Sequence, residues 1–151
     1  MKEALKQAKK AYDKLEVPVG AVIVKDGKII ARAYNQKEEK KDTTNHAEIL
    51  AIKKASKKLD SWRLTDCDMY VTLEPCSMCA GALIQSRIRK IYIGAIDEKT
   101  GACGTVLNLL QDYKFNHKVE IETGILKEEC EAILKDFFKE LRNIKKKKDN
   151  K

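Results

Sequence analysis

Apolar residues at the start of the chain recur at helical spacing and are surrounded by lysines, which predicts an amphipathic helix over residues 2–15 that ends before Pro18. Residues 19–24 and 28–34 are rich in β-branched and other apolar residues. The turn sequence Lys25-Asp26-Gly27 between these two runs predicts a β-hairpin. Residues 35–45 are charged and poor in apolar residues, and this composition predicts a loop.

The rest of the chain alternates helical and strand patterns. We expect helices over residues 46–59 and from the cysteine motif to about residue 86, and strands over residues 69–73, 91–95 and 119–123. Residues 97–117 are irregular, with a helical turn expected at 106–110. An apolar stripe then predicts a last helix: Cys130, Ile133, Leu134, Phe137, Phe138, Leu141 and Ile144. This alternation predicts an α/β domain, a three-layer α/β/α sandwich with helices on both faces of one sheet.

Composition places the chain among single-domain proteins. Its 151 residues carry a net charge of +8, concentrated at the end. Residues 142–151 hold six lysines and arginines against one aspartate, a net charge of +5. We therefore divide the chain into a domain over residues 1–144 and a basic C-terminal tail over residues 145–151. Such a tail indicates an anionic partner, or it serves only as a solubilising end.

The cysteine count and the lack of long apolar runs bear on the cellular setting. Five cysteines are an odd number, and a chain of this length needs no disulfide framework. We recognise no signal peptide and no apolar run of the roughly 20 residues that span a membrane. The expected setting is the reducing cytoplasm, without a membrane partner.

Two short motifs supply candidate chemistry: His46-Ala47-Glu48, and Cys76 and Cys79 after Pro75. One imidazole and two thiolates suit zinc, which takes four ligands in tetrahedral geometry. Three protein ligands leave the fourth position open for water, whose pKa zinc lowers to about 7. Glu48 would then carry protons beside the metal.

The spacing within each motif predicts how it meets a helix. His46 and Glu48 are two apart, too close to share a helix face, so we expect them to straddle a helix start that Thr44 or Asn45 caps. The two motif cysteines are three apart and follow a proline. A helix that begins there places both thiols on one face of its first turn, where thiolates are favoured.

The combination of H-x-E with P-C-x-x-C is the signature of zinc nucleobase deaminases. Other interpretations exist for its parts, since a CxxC pair alone also occurs in redox and structural sites. A structural zinc site would need a fourth protein ligand. The candidates are Cys67, Cys103, Cys130 and His117.

With these motifs in place, residues 2–142 resemble the bacterial tRNA adenosine deaminases. The resemblance is carried by residues 16–22 (EVPVGAV), Asn35, residues 46–48 (HAE), residues 72–82 (TLEPCSMCAGA), residues 97–104 and residues 116–117. It implies a cytidine-deaminase-like fold with a mixed five-stranded sheet. It also implies a homodimer whose partner helps to form the RNA site, and conversion of adenosine to inosine at the wobble position, 34, of a tRNA anticodon.

The resemblance also implies a role for individual residues. One zinc ion per subunit would be held by His46, Cys76 and Cys79, and Glu48 would shuttle protons. Asn35 would hydrogen-bond the flipped base in a pocket lined by Val19 and Ala47. The anticodon stem-loop would be contacted by Asp97, Lys99, Asn116, Phe138 and Arg142.

Alternatives remain open at this point. Asn35 is also suited to capping the loop after its strand, and Phe138 to core packing on its helix. The zinc motif is common to deaminases of free bases and nucleosides, so a guanine or cytosine deaminase is an alternative function. A zinc-stabilised RNA-binding module without catalysis is another.

Overall fold

A computed structural model describes residues 1–151, in which five strands and five helices follow one another. The strands are β1 Gly20–Lys25, β2 Lys28–Tyr34, β3 Cys67–Leu73, β4 Lys90–Ala95 and β5 Glu120–Thr123. The helices are α1 Lys2–Asp13, α2 Lys37–Lys40, α3 Ala47–Leu59, α4 Ser77–Gln85 and α5 Lys127–Asp149.

The strands form one sheet in the order β2-β1-β3-β4-β5. Strand β1 runs antiparallel to both β2 and β3, whereas β3, β4 and β5 are parallel. The predicted mixed five-stranded sheet is confirmed. Because β2, β3 and β4 all point the same way, their carboxyl ends meet at one edge of the sheet.

Helices cover both faces of this sheet. On β1, successive side chains point to opposite faces. Ala21 and Ile23 belong to the main core beside the buried alanines of α3, whereas Gly20 lies against α1. On β4, Gly94 contacts Cys130 of α5 in the same way. Thus α1 and α5 lie on one face and α3 and α4 on the other, as the predicted three-layer sandwich requires.

Three details differ from the sequence-based expectation. The expected loop over residues 35–45 contains the short helix α2. The expected helical turn at residues 106–110 is wrong, because an isolated bridge between Cys103 and Asn108 organises that segment. Helix α5 continues without a break through residue 149, so most of the basic tail is helical.

No helix in the chain has the length and apolar character needed to span a membrane.

Replacement of Gly20 by alanine should destabilise the fold. A Cβ atom there would lie 1.9 Å from the Ala4 carbonyl oxygen and 2.5 Å from the Ala8 amide nitrogen, so α1 would have to move off the sheet. Overpacking of this kind typically costs about 1–3 kcal/mol. Urea denaturation should report a free energy of unfolding lowered by about 2 kcal/mol or more.

Gly81 provides the matched control. It lies inside α4, and a Cβ atom there meets nothing within 4 Å. Gly81→Ala should leave stability unchanged or raise it by up to about 1 kcal/mol, because alanine is the better helix former. Equal destabilisation by both substitutions would contradict the close packing assigned to Gly20.

Candidate active site

The end of β3 delivers the cysteine motif to the edge of the sheet. The Glu74 amide donates to the Ala95 carbonyl at 2.8 Å, which extends the pairing of β3 with β4. Pro75 follows, and Cys76 is the N-cap of α4 in an extended conformation. Cys79 is then the third residue of the helix, and both thiols lie at its amino end as predicted.

His46 reaches the same point from the opposite side. It is itself the N-cap of α3, with extended backbone angles and no capping hydrogen bond from its side chain. The expectation that Thr44 or Asn45 caps this helix is wrong, and the Thr44 hydroxyl donates to Asp42 instead. His46 Nδ1 lies 3.7 Å from Cys76 Sγ and 3.5 Å from Cys79 Sγ.

These three side chains form a donor set that could hold a metal ion. Their ligand atoms all lie within 4.8 Å of one another. A tetrahedral cation with bonds of about 2.0–2.3 Å holds neighbouring N and S donors about 3.6 Å apart, close to the distances found here. None of Cys67, Cys103, Cys130 or His117 joins the group. The fourth ligand that a closed structural site requires is therefore missing.

The three candidate ligands are coupled by hydrogen bonds, and of the two thiols only Cys76 is favoured as a thiolate. Hydrogen bonds from Cys79 and His46 lower the pKa of Cys76 to about 3. The hydrogen bond to Cys76 and burial raise the pKa of Cys79. The pKa of His46 is raised, chiefly by its hydrogen bond to Cys76. Since thiolates and neutral imidazole are the forms that ligate metals, a bound cation would release these protons.

Glu48 lies beside the donor set. It is the second residue of α3 and only 4% exposed. Burial raises the pKa of its carboxyl group above the usual value for glutamate. It makes no ion pair. A carboxyl group with a raised pKa next to an open metal position is suited to accepting and returning a proton.

A cavity of about 170 Å³ opens onto these groups. The predicted residues that line it are Val19, Asn35, His46, Ala47, Glu48, Cys76 and Asp97. Its walls also include residues to which the sequence assigned no role in the site: Val17, Lys37, Leu73, Glu74 and Thr100. The fold thus brings two predicted metal ligands, the predicted proton carrier and the predicted base-pocket residues around one cavity, and the third ligand, Cys79, lies 3.5 Å from His46 without lining that cavity.

Comparison with known proteins agrees with this arrangement. A family model described as MafB19-like deaminase matches residues 1–142. The tRNA-specific adenosine deaminase of Bacillus subtilis (strain 168) is 55% identical over 146 residues, which cover 97% of this chain and 91% of the relative. That of Aquifex aeolicus (strain VF5) is 51% identical over 143 residues, 95% of this chain and 94% of the relative. The chain belongs to the tRNA-specific adenosine deaminase family.

Two solved structures show how widely this fold is used. A structure from a study of A-to-I editing by tRNA:A34 deaminases at the wobble position aligns with a TM-score of 0.86 at 42% identity, and covers 89% of this chain and 97% of that one. A guanine deaminase from Bacillus subtilis aligns less closely, with a TM-score of 0.63 at 31% identity over 94% and 90% of the two chains. The fold is common to deaminases of different bases.

Asn35 has contacts in the protein as well as a place in the cavity. Its Oδ1 accepts a hydrogen bond from the Lys37 amide at 3.2 Å, and its Nδ2 donates to the Val17 carbonyl at 3.2 Å. The side chain therefore holds the loop after β2, which is the capping role that the sequence offered as an alternative to base binding. An amide has two N–H donors and two lone pairs on oxygen, so one donor and one acceptor remain for a ligand.

The residues predicted to contact RNA separate into two groups. Lys99, Phe138 and Arg142 line one groove next to the cavity. Phe138 is 42% exposed, so its ring is not core packing. The Asp97 carboxylate accepts hydrogen bonds from Lys99 and Thr100 in its own loop.

Asn116 lies elsewhere in the fold. It precedes β5, whose first residue pairs with Lys90 at the start of β4, and the neighbouring His117 ring bonds the Ile88 carbonyl at 2.7 Å. The cavity lies at the other end of β4, which as a six-residue strand is about 20 Å long. Within one chain, Asn116 is therefore separated from the other predicted RNA contacts.

Glu74 organises the loop that forms one rim of the cavity, and sequence analysis missed this role. Its carboxylate is 3% exposed. Oε1 accepts the Asp97 amide at 3.1 Å and the Thr105 hydroxyl, and Oε2 accepts the Cys103 amide at 3.0 Å and the Thr105 amide at 3.2 Å. Gly101 passes so close that a Cβ atom would lie 2.5 Å from this carboxylate. A glutamate between a strand and a proline was the only signal.

Replacement of Glu74 by glutamine should destabilise the protein by about 2 kcal/mol or more. Both carboxylate oxygens accept backbone N–H groups, so the NH₂ group of glutamine leaves at least one N–H without an acceptor in either orientation. A buried donor without a partner costs about 1–3 kcal/mol. Urea denaturation and proteolysis of the 97–105 loop should report the loss. Glu98→Gln, in the same exposed loop, should change stability by less than about 0.5 kcal/mol.

Proposed function

We propose that this deaminase hydrolyses adenosine to inosine at the wobble position, 34, of a tRNA anticodon, with one zinc ion per subunit. The observation that carries the proposal is the three-ligand donor set with a buried carboxyl group beside it, and a cavity lined by His46, Cys76 and that carboxyl group. The family assignment supports adenosine in tRNA as the substrate.

His46, Cys76 and Cys79 would hold the zinc, since their atoms have the separations and chemistry of a tetrahedral site. When bound, zinc supplies a Lewis acid that activates water at neutral pH. The protein contributes the position of the base and the movement of protons. Val19 and Ala47 provide apolar walls for a flat base, and Asn35 offers it one donor and one acceptor.

Glu48 is the group that moves protons. Water adds to C6 of adenine, and Glu48 passes the proton of that water to the adjacent ring nitrogen. A second transfer protonates the amino group, the C6–N bond breaks, and ammonia leaves. One adenosine and one water thus give one inosine and one ammonia. The raised pKa of Glu48 suits this cycle, because the group must both accept and return protons.

A base must leave its stack to enter this cavity, which favours the unpaired loop of an RNA over a paired stem. The groove formed by Lys99, Phe138, Leu141, Arg142 and Lys145 combines three cations with an exposed aromatic ring. Cationic side chains bind the phosphates of an RNA backbone, and aromatic rings stack on its bases. We propose that this groove holds the anticodon loop next to the flipped adenosine, and that Asp97 shapes the loop between them.

We further propose a cytoplasmic homodimer. All five cysteines are free thiols, which suits a reducing compartment. Val106, Tyr113 and Phe115 are each about half exposed and provide an apolar surface for a second subunit. Asn116 lies next to Phe115 in the chain and far from its own cavity. It would therefore contribute to RNA binding only from the second subunit.

An anticodon stem-loop with adenosine at position 34 should be converted to inosine by the zinc-loaded protein. Nucleoside mass analysis measures the product, and parallel reactions contain a guanosine-34 stem-loop, free guanine and free cytosine. Glu48→Gln should retain the fold and the zinc content but lose about a hundredfold or more in rate, because an amide cannot relay protons. Turnover of guanine or cytosine without inosine would instead identify a free-base deaminase.

The lysines at the end of α5 should set the salt dependence of RNA binding. If they neutralise roughly four phosphates of a single-stranded loop, log K should fall against log salt with a slope of about −3, or roughly fiftyfold between 50 and 200 mM. Replacement of the lysines at 145–148 by alanine should flatten this slope and raise KM. Single-turnover chemistry at saturating RNA should not change, since phosphate contacts position the RNA and take no part in hydrolysis.

A charge-matched variant controls for the overall loss of four positive charges. Four lysines lie on α1 and do not line the catalytic cavity: Lys2, Lys6, Lys9 and Lys10. Their replacement by alanine should change the salt slope less than replacement of residues 145–148 does. Equal slopes for the two variants would mean that net charge alone, and not this part of α5, governs affinity.

A further inference from the structure

Glu16 is a buried carboxylate that the proposed chemistry does not use. It is fully buried, with 0% exposure, between α1 and β1. No lysine or arginine pairs with it. A buried charge without a cation is costly unless hydrogen bonds replace its hydration, so its contacts are informative.

Those contacts are two backbone amides at the start of α2. Oε1 accepts the Glu38 amide and Oε2 accepts the Glu39 amide, each at 2.8 Å. Only a carboxylate presents two acceptor oxygens in this way. In glutamine, the NH₂ group would face one of these N–H donors. Helix α2 is only four residues long and buries none of its side chains, so polar contacts such as those to Glu16 attach it to the domain.

The next amide in the same segment belongs to Lys37, and it donates to Asn35 Oδ1. Three successive N–H groups, at residues 37, 38 and 39, are therefore accepted by two side chains. On the other side, Asn35 Nδ2 donates to the carbonyl of Val17, the residue after Glu16. Two side chains, those of Glu16 and Asn35, thus make all of these hydrogen bonds between segments 16–17 and 35–39.

This arrangement fixes the orientation of the Asn35 amide. In the reversed orientation the Asn35 NH₂ group would face the Lys37 N–H and its oxygen would face the Val17 carbonyl oxygen, so oxygen and nitrogen have only one consistent placement. The donor and acceptor that remain for a base are then fixed as well. If residues 37–39 move, the Asn35 oxygen loses the Lys37 N–H and only the hydrogen bond to the Val17 carbonyl holds the amide, so the side chain is free to turn about that one contact.

We propose that Glu16 is a positioning residue for base recognition, which holds residues 37–39 so that Asn35 presents its donor and acceptor in a single orientation. The inference rests on the proposed function, in which Asn35 contacts the adenine edge. Glu16 itself touches neither the base nor the metal ligands in this arrangement. Its effect on catalysis passes through Asn35.

A double-mutant cycle tests this dependence. Glu16→Gln should lower kcat/KM for the adenosine-34 stem-loop by about tenfold. A rate loss of this size corresponds to the loss of one hydrogen bond to a charged group. In an Asn35→Ala background, the same substitution should lower kcat/KM by less than about twofold, because the amide it orients is gone. Equal losses in both backgrounds would overturn the inference, as would an Asn35→Ala variant with unaltered kcat/KM.

Two controls separate positioning from general destabilisation. Glu38→Gln removes one charge from an exposed side chain in the same segment and leaves both Glu16 contacts intact, so it should leave kcat/KM unchanged. Glu16→Asp retains the charge but shortens the side chain, and serves if the glutamine variant fails to fold. It should give the same coupling to Asn35.

A second measurement does not depend on turnover. In the wild-type protein, the side-chain amide hydrogens of Asn35 should give one set of sharp NMR signals with slowed exchange. Glu16→Gln should broaden these signals or double them. Unchanged signals would overturn the inference even if the protein forms no inosine, whereas altered signals without inosine would preserve it and reject the proposed substrate.

Discussion

The parallel pairing of β3 with β4 determines where the chemistry of this protein lies. Because β1 is antiparallel to its two neighbours, β2 also runs parallel to β3, and three carboxyl ends meet at one edge. Those ends carry Asn35, Cys76 and Asp97, which are distant in sequence and line one cavity. Open α/β sheets commonly place ligands at such an edge. Asn116 precedes the amino end of β5 and is excluded from the cavity by the same geometry.

Three glutamates are buried near this edge, and their partners give them different roles. Glu16 and Glu74 use both carboxylate oxygens to accept N–H groups, so they act as fixed anchors for the two loops at the rim. Glu48 has no such set of donors from a neighbouring loop, and its pKa is raised by burial. Only Glu48 is therefore placed to exchange a proton, although all three are the same residue type at similar burial.

Sequence patterns predicted every strand and the four longer helices because their signals are local. Periodicity and turn residues lie within each element, and the two metal motifs needed only their own spacing. The short helix α2 was missed because its four residues have no apolar pattern, and its anchor is a carboxylate about twenty residues earlier. Apolar residues at 106–110 suggested a helical turn, yet Val106 is 53% exposed in a segment that a bridge between Cys103 and Asn108 organises. The contact from Glu16 to α2 is tertiary and leaves no local trace, and the bridge at 103–108 has no apolar periodicity to indicate it.

The metal motif and the base preference also differ in how they depend on the fold. The proposed hydrolysis rests on the donor set and Glu48, whereas a guanine deaminase has the same fold, with a TM-score of 0.63 to this chain. A common scaffold therefore does not select the base. Selection must come from groups that contact the base edge and from the loops that position them. In this chain those loops are held by Glu16 and Glu74, neither of which belongs to the donor set, so we expect changes at the rim to alter the choice of base without altering the reaction.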